Sequence, residues 1–260
     1  MIKTLFKHIS KYYMDTFVLA IAGVAVGVLV GLVDAAFGLG LNACTAIRTK
    51  YFWYLIWFLP LGGVFIWFIY HQFGKSVANG MKMVFHVGLG KNTKLPIRMV
   101  PLSVIGTWTT HLFGGSAGRE GVAVQIGAAV SNNIGRLVDK TIDIENSRKM
   151  FLITGMAAGF SGLFCTPLAA IFFALEVLVA GKLEYHALIP ATVASISAAF
   201  TSRALGLRKF HINILETLNY HPSTYNAVLL LKLAAMGLVF GIVGSLFALI
   251  LRYLRLKFAF

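Results

Sequence analysis

A glycine-rich segment that ends in a charged pair is the part of this sequence best suited to chemistry. It reads Gly-Gly-Ser-Ala-Gly-Arg-Glu-Gly over residues 114–121 and continues into an apolar run that begins at Val122. Its four glycines permit close backbone approach and positive φ angles. The change from glycines to an apolar run predicts a helix that begins near Glu120.

A helix start at Glu120 has a clear chemical consequence. The first N–H groups of a helix lack intrahelical acceptors and carry partial positive charge, so they form a ready site for an anion. The Glu120 carboxylate would compete with a mobile anion for those donors, and protonation would weaken that competition. Glu120 is therefore predicted to be both gate and proton carrier. Two other interpretations fit the spacing equally: glycines that only pack helices, and a Glu120 that forms a salt bridge with a nearby Arg or Lys.

Composition places these residues in a membrane protein. The chain is 58% hydrophobic and 12% charged, with a mean hydropathy of +0.80, whereas about a quarter of a soluble domain is charged. The net charge of +14 comes from basic residues between the apolar runs, such as Arg48 and Lys50. That distribution is typical of anchors at cytoplasmic loops and lipid headgroups. We therefore predict a multi-pass protein whose partners include membrane lipid but not nucleic acid.

The apolar runs have unequal lengths. Phe17–Leu41 and Tyr51–Phe73 are long enough to cross a bilayer, and a short amphipathic surface helix with Lys3, Lys7 and Lys11 is predicted before them. The later runs, several of them short and bounded by Gly or Pro, are Leu102–Phe113, Val122–Ile134, Met150–Phe164, Leu168–Val179, Leu188–Phe200 and Val228–Leu251. Broken helices persist in a membrane only where protein or a cavity covers their ends. We expect the function between Gly74 and Pro167.

Four ionisable side chains inside or beside these runs need a role. Asp34 falls within the first span, where a carboxylate is costly; a helix-end position near the interface and a functional position both fit. His111 fits either a structural role or proton movement. Arg119 is predicted to pair with a carboxylate or carbonyl, and Glu176 to be a structural carboxylate at a helix end.

Several segments resemble one family of membrane proteins. Residues 118–121 (Gly-Arg-Glu-Gly) and 124–127 (Val-Gln-Ile-Gly) resemble the signature of the CLC family of chloride channels and anion/proton antiporters. Residues 155–159 and 166–176 resemble two later family segments, in the same order. The resemblance runs from about Phe17 to the end of the chain. It implies an all-α membrane protein with tilted, broken helices, a homodimer, and a cell-membrane location, most simply the bacterial inner membrane.

The resemblance also implies the site residues. Glu120 would be the gate, and Gly118, Arg119, Gly121 and Val122 would surround the anion. Two segments are candidates for the family's serine-containing anion loop: residues 74–77, which keep Ser76, and residues 79–83, which contain Gly80 and Met81. The run before Glu120 resembles the fluoride-exporting branch of the family, in which methionine is one substitute for that serine.

Another position limits the activity. Val177 stands where the chloride/proton exchangers carry an internal proton-transfer Glu, which argues against a standard chloride/proton exchanger. The resemblance implies anion transport, with fluoride (or chloride)/proton antiport as the leading hypothesis and a passive chloride channel as the alternative. An enzyme built on Glu120 and His111 is disfavoured because no nucleophile, metal cluster or paired carboxylate accompanies them. No metal or cofactor is expected.

The family is built from two inverted repeats with the anion path between them. The resemblance implies that about residues 1–210 form the first repeat and about residues 224–260 the first helix of the second. We therefore expect the sequence to belong to a longer transporter. A transport-inactive half-chain that acts as a scaffold is the competing hypothesis.

Overall fold

The computed structural model describes residues 2–91, 95–139, 146–179, 181–208 and 227–257, without the side chains of residues 2–13, 227, 255 and 256. Contacts divide the chain into two units, residues 1–210 and residues 211–260. Over the described residues the backbone is helical and contains no β-strand.

The first unit contains eight α-helices within its described residues. They are α1 (Ile2–Leu55), α2 (Leu59–Phe73), α3 (Met81–Gly88), α4 (Met99–Leu112), α5 (Glu120–Val138), α6 (Ser147–Phe164), α7 (Pro167–Glu176) and α8 (Leu188–Ala204). Single 3-10 turns occupy Ile56–Phe58 and Tyr185–Ala187. The described part of the second unit is α9 (Ala227–Lys257), an apolar helix with mostly exposed side chains.

The beginning of the chain differs from the prediction. The predicted surface helix and the span Phe17–Leu41 join into one helix, α1, whose backbone is continuous from Ile2 and kinks at Tyr51 (φ −120°, ψ 28°). The predicted span Tyr51–Phe73 is not one continuous helix, because the 3-10 turn Ile56–Phe58 divides it. Proline has no N–H to donate and fits best in a first helical turn, and Pro60 lies in the first turn of α2. By length and hydropathy, two described stretches are candidate membrane spans, Met14–Phe73 and Val228–Leu254.

The breaks predicted in the middle of the chain are confirmed. Helix α5 begins at Glu120, and α6 and α7 are separated at Cys165 and Thr166. Cys165 has a left-handed backbone (φ 53°) that ends α6, and Pro167 opens α7. The local sequence therefore sets where these helices begin and end.

Helix α6 lies at the centre of the first unit. It packs against α1, α5, α7 and α8, and its side chains are buried along almost the whole length. Lipid tails are as apolar as leucine, so helices in a membrane associate through close packing rather than hydrophobicity, and small residues allow it. The contact of α6 with α5 is a close packing of this kind, made possible by small residues.

Glycines set the distance between α5 and α6. A Cβ atom on Gly127 would collide with the carbonyl of Gly155, and one on Gly159 would collide with the carbonyl of Ala123. Ser131 Oγ also donates a hydrogen bond to the carbonyl of Phe151, across the same contact. Because Ala123 is in the first turn of α5, α6 holds the start of that helix in place.

We predict that Gly159→Ala destabilises the protein, because the added methyl group would push α6 from the first turn of α5. Overpacking of this kind costs about 1–3 kcal/mol, so the apparent melting temperature in detergent should fall. The matched control is Gly63→Ala in α2, where a Cβ meets nothing within 4 Å. Equal melting temperatures for both variants would contradict the packing role of Gly159.

Candidate functional site

The start of α5 carries the residue predicted to be the gate. Arg119 precedes the helix, Glu120 is its first residue, and no side chain caps its N-terminus. The first helical bond made there is from Ala123 N–H to the Arg119 carbonyl (3.0 Å), so the N–H groups of residues 120–122 are left for other acceptors. This is the local geometry that the sequence predicted.

The Glu120 side chain turns back toward that helix start. Its Oε2 lies 3.1 Å from the position that a Cβ on Gly118 would occupy, and the residue is exposed. Among the described residues Glu120 forms no ion pair, so the salt-bridge interpretation finds no support there. The absence of a side chain at Gly118 leaves room for the carboxylate to move at the helix start.

Arg119 takes a different partner from the one predicted. Its guanidinium carbon lies 5.7 Å from the centre of the Phe164 ring, a cation–π contact. No carboxylate or carbonyl pairs with it among the described residues, so that expectation is wrong. The Arg119 side chain therefore links the start of α5 to the end of α6, where Phe160 packs on Phe164 at 4.9 Å between ring centres.

A second helix start lies beside α5. Gly80 has φ 49° and ψ −124°, and α3 begins at the next residue, Met81, which is half-buried and packs against the core. A Cβ on Gly80 would lie 3.5 Å from Gln125 Nε2 on α5. Ser76 is exposed in the preceding turn. Of the two candidate loops, the structure therefore brings Gly80 of residues 79–83 next to α5.

Gln125 is a residue whose role sequence reasoning missed. Its Oε1 accepts a hydrogen bond from Ser103 Oγ on α4 (3.1 Å), so it joins α3, α4 and α5. The sequence carried one signal, an amide five residues after Glu120. No signal in the sequence pointed to its partner Ser103, because 22 positions separate the two residues.

Three other residues singled out in the sequence lie at the ends of helices. Glu176 Oε1 accepts the Gly181 N–H (3.1 Å) after the end of α7, in keeping with its predicted structural role. His111 is half-buried in the last turn of α4, and its Nε2 has no hydrogen-bond partner. Val177 follows α7 directly.

Asp34 does not lie at a helix end near the interface. It falls inside α1, is completely buried, and neither carboxyl oxygen has a hydrogen-bond partner. It packs on Gly162 of α6, where a Cβ would collide with Oδ2. Burying an unpaired charge is costly, so the site is compatible with a neutral carboxyl group.

Helices that begin inside an apolar, all-helical body, as α3 and α5 do, are typical of membrane channels and secondary transporters. The profile of the family described as voltage gated chloride channel matches residues 62–259. The chain therefore belongs to this family and is an integral membrane protein. The predicted family and the all-α fold of broken CLC-type helices are confirmed.

Individual relatives agree with this assignment. A chloride/fluoride channel protein of Pseudomonas syringae pv. tomato is 38% identical over 230 residues, which cover 88% of this chain and 49% of the relative. The H(+)/Cl(−) exchange transporter ClcA of Citrobacter koseri is 33% identical over 157 residues, or 58% of this chain and 30% of the relative. The chain thus spans about half the length, or less, of these curated relatives.

A solved structure is also similar. The crystal structure of a CLC-type fluoride/proton antiporter is 42% identical, with a TM-score of 0.82. The similarity covers 95% of this chain and 62% of that one. The fold of the first unit is thus shared with a protein of known architecture.

We predict that Gly80→Ala disturbs the start of α3, because the φ and ψ angles of Gly80 are accessible to glycine but strained for alanine. Such strain costs on the order of 1–3 kcal/mol and should lower the melting temperature. Ser76→Ala, in the exposed turn four residues earlier, is the control and should leave it unchanged. If Ser76→Ala lowered the melting temperature more than Gly80→Ala, the placement of residues 79–83, rather than residues 74–77, next to α5 would be contradicted.

Proposed function

We propose that the complete protein moves anions across the membrane, with fluoride as the main substrate and protons moving in exchange. The single observation that carries this proposal is the start of α5. There the N–H groups of residues 120–122 have no helical acceptors, and the Glu120 carboxylate lies close to Gly118, where it would compete with an anion for those donors. The similarity to a fluoride/proton antiporter and to a chloride/fluoride channel protein supports the choice of substrate.

Competition at the helix start explains how one residue couples two ions. When Glu120 is charged, its carboxylate satisfies the N–H groups and excludes an anion. Protonation removes most of this attraction, since the partial positive charge at a helix start favours negative groups. An anion then replaces the side chain, and Glu120 carries its proton away from the site. Each exchange of anion for carboxylate thus moves a proton with Glu120.

The residues around Glu120 would line the anion path. Gly118 and Gly121 leave the backbone exposed to an anion, Val122 continues the first turn, and Arg119 holds the loop through Phe164. Met81 at the start of α3 is the proposed lining residue where chloride transporters carry serine, with Gly80 before it. Ser76 is the alternative from the neighbouring turn.

Val177 favours fluoride over chloride as the coupled anion. The resemblance places the internal proton-transfer Glu of chloride/proton exchangers at this position, and valine cannot carry a proton. The fluoride branch resembles this chain in lacking that carboxylate. A passive chloride channel is the alternative, and it would move anions without protons.

The rest of the architecture follows from the family. We propose that residues 1–210 form the first inverted repeat and that residues 224–260 open the second, so that the path lies between the two repeats of the complete protein. We further propose a homodimer in the bacterial inner membrane, with lipid as its surroundings. A half-chain without transport, acting as a scaffold, is the competing proposal.

Proteoliposomes containing the complete protein test the gate. Glu120→Gln should abolish fluoride-driven proton movement, because the amide cannot carry a proton; loss of a positioned proton-transfer group typically costs about 100-fold or more. Fluoride release is followed with an electrode and proton uptake with a pH-sensitive dye.

Glu176→Gln is the matched control. It removes a carboxylate whose oxygen accepts the Gly181 N–H outside the proposed path, and proton coupling should survive. Unchanged coupling in Glu120→Gln would remove Glu120 from the proposal. Wild-type anion flux without protons would identify a channel, and no flux at any pH would favour the scaffold.

A further inference from the structure

The side chain of Gln125 has a fixed orientation. Ser103 Oγ lies 3.1 Å from Gln125 Oε1, and Ser103 is itself buried. In a primary amide the oxygen only accepts and the nitrogen only donates. With Oε1 bonded to the serine hydroxyl, the two N–H donors of Nε2 remain available to another acceptor.

Those donors face the start of α3. Nε2 lies 3.5 Å from the position that a Cβ on Gly80 would occupy, and Cδ and Oε1 of the same amide lie 4.0 Å from it. A side chain at residue 80 would therefore fill the space in front of the amide. Gln125 is half-buried, and among the described residues its Nε2 donates to no acceptor. Two donors thus lie beside the gap left by the absence of a side chain at Gly80.

A backbone donor borders the same gap. In the turn before α3, Lys82 N–H donates to Asn79 O and Met83 N–H to Gly80 O, both at 3.0 Å. Met81 N–H makes no backbone hydrogen bond in the described part of this turn. The gap between Gly80 and α5 is therefore bordered by N–H donors from a side chain and from the backbone.

We propose that Gln125 donates its Nε2 hydrogens to the transported anion, and that Ser103 is the positioning residue that aims them. This inference rests on the proposed transport function and names a contact within its site. Hydrogen bonds to an ionised acceptor are about twice as strong as neutral ones. Because fluoride is a compact anion, it accepts such bonds more strongly than chloride does. A neutral amide binds the anion without the lasting attraction of a full charge, which suits a site that must also release it.

The donor role is tested in proteoliposomes with Gln125→Leu, which removes both N–H groups, and Gln125→Glu, which replaces them with an acceptor. Half-saturation for fluoride should rise by about 10- to 100-fold, the range expected for losing a hydrogen bond to a charged partner. The preference for fluoride over chloride should fall with it. Maximal turnover at saturating fluoride should change much less.

Variants of Ser103 distinguish a role in orienting the Gln125 amide from a role in packing. Ser103→Ala leaves Gln125 in place but frees its amide to rotate, so half-saturation should rise by a smaller factor. Ser103→Thr retains the hydroxyl and should restore the wild-type value. If Gln125→Leu lowers the yield of folded protein, this pair still decides the proposal, because equal half-saturation in Ser103→Ala and Ser103→Thr contradicts it.

Asn133→Leu controls for loss of an amide on the same helix. Asn133 Nδ2 donates to the carbonyls of Leu95 (3.0 Å) and Ala129 (2.7 Å), so its amide is structural. This variant should lower the melting temperature without changing anion preference. An equal change of preference in Asn133→Leu and Gln125→Leu would overturn the proposal.

A binding measurement separates this inference from the transport function. Fluoride should raise the melting temperature of the purified wild-type protein more than chloride does, and Gln125→Leu should lose that difference. If the wild type binds fluoride through Gln125 but transports nothing, the proposed function fails and the contact stands. If the wild type transports fluoride and Gln125→Leu keeps its half-saturation, the contact fails and the function stands.

Discussion

The close contact between α5 and α6 is the interaction on which the site depends. Gly127 and Gly159 lie where any side chain would strike backbone of the opposite helix. In a lipid environment, such packing replaces the hydrophobic effect that would hold two helices together in water. The contact reaches the first turn of α5, so it also decides where Glu120 and the free N–H groups are held. A loose contact here would leave the helix start without a fixed position.

The breaks between helices leave backbone groups without partners. Each break exposes backbone donors that lipid cannot satisfy, and the protein must cover them or use them. The start of α5 leaves the N–H groups of residues 120–122 free beside Glu120, and the start of α3 lies against the amide of Gln125. Both starts belong to short helices whose boundaries depend on glycine. The same feature that weakens these segments as membrane spans leaves N–H donors without backbone acceptors.

Buried polar groups in the first unit divide into two kinds. Ser103 and Ser161 are buried but bonded, to Gln125 and to the Ser195 carbonyl. Asp34 is buried without a partner, against Gly162. The bonded groups orient neighbouring helices, whereas the isolated carboxyl is tolerated by the packing around it. The sequence flagged Asp34 as costly, but only the packing of α1 on α6 showed that it is completely buried against Gly162.

The sequence by itself determined the class of protein, the family, and the helix boundaries at Glu120 and Pro167. Composition and local chemistry decide these features, since hydropathy selects the membrane, the glycines before Glu120 precede the start of α5, and Pro167 opens α7. Tertiary structure alone decided that Gly80 lies at Gln125 and that Arg119 turns to Phe164. These features depend on atoms brought together from distant positions in the chain, and their geometry exists only after the helices pack.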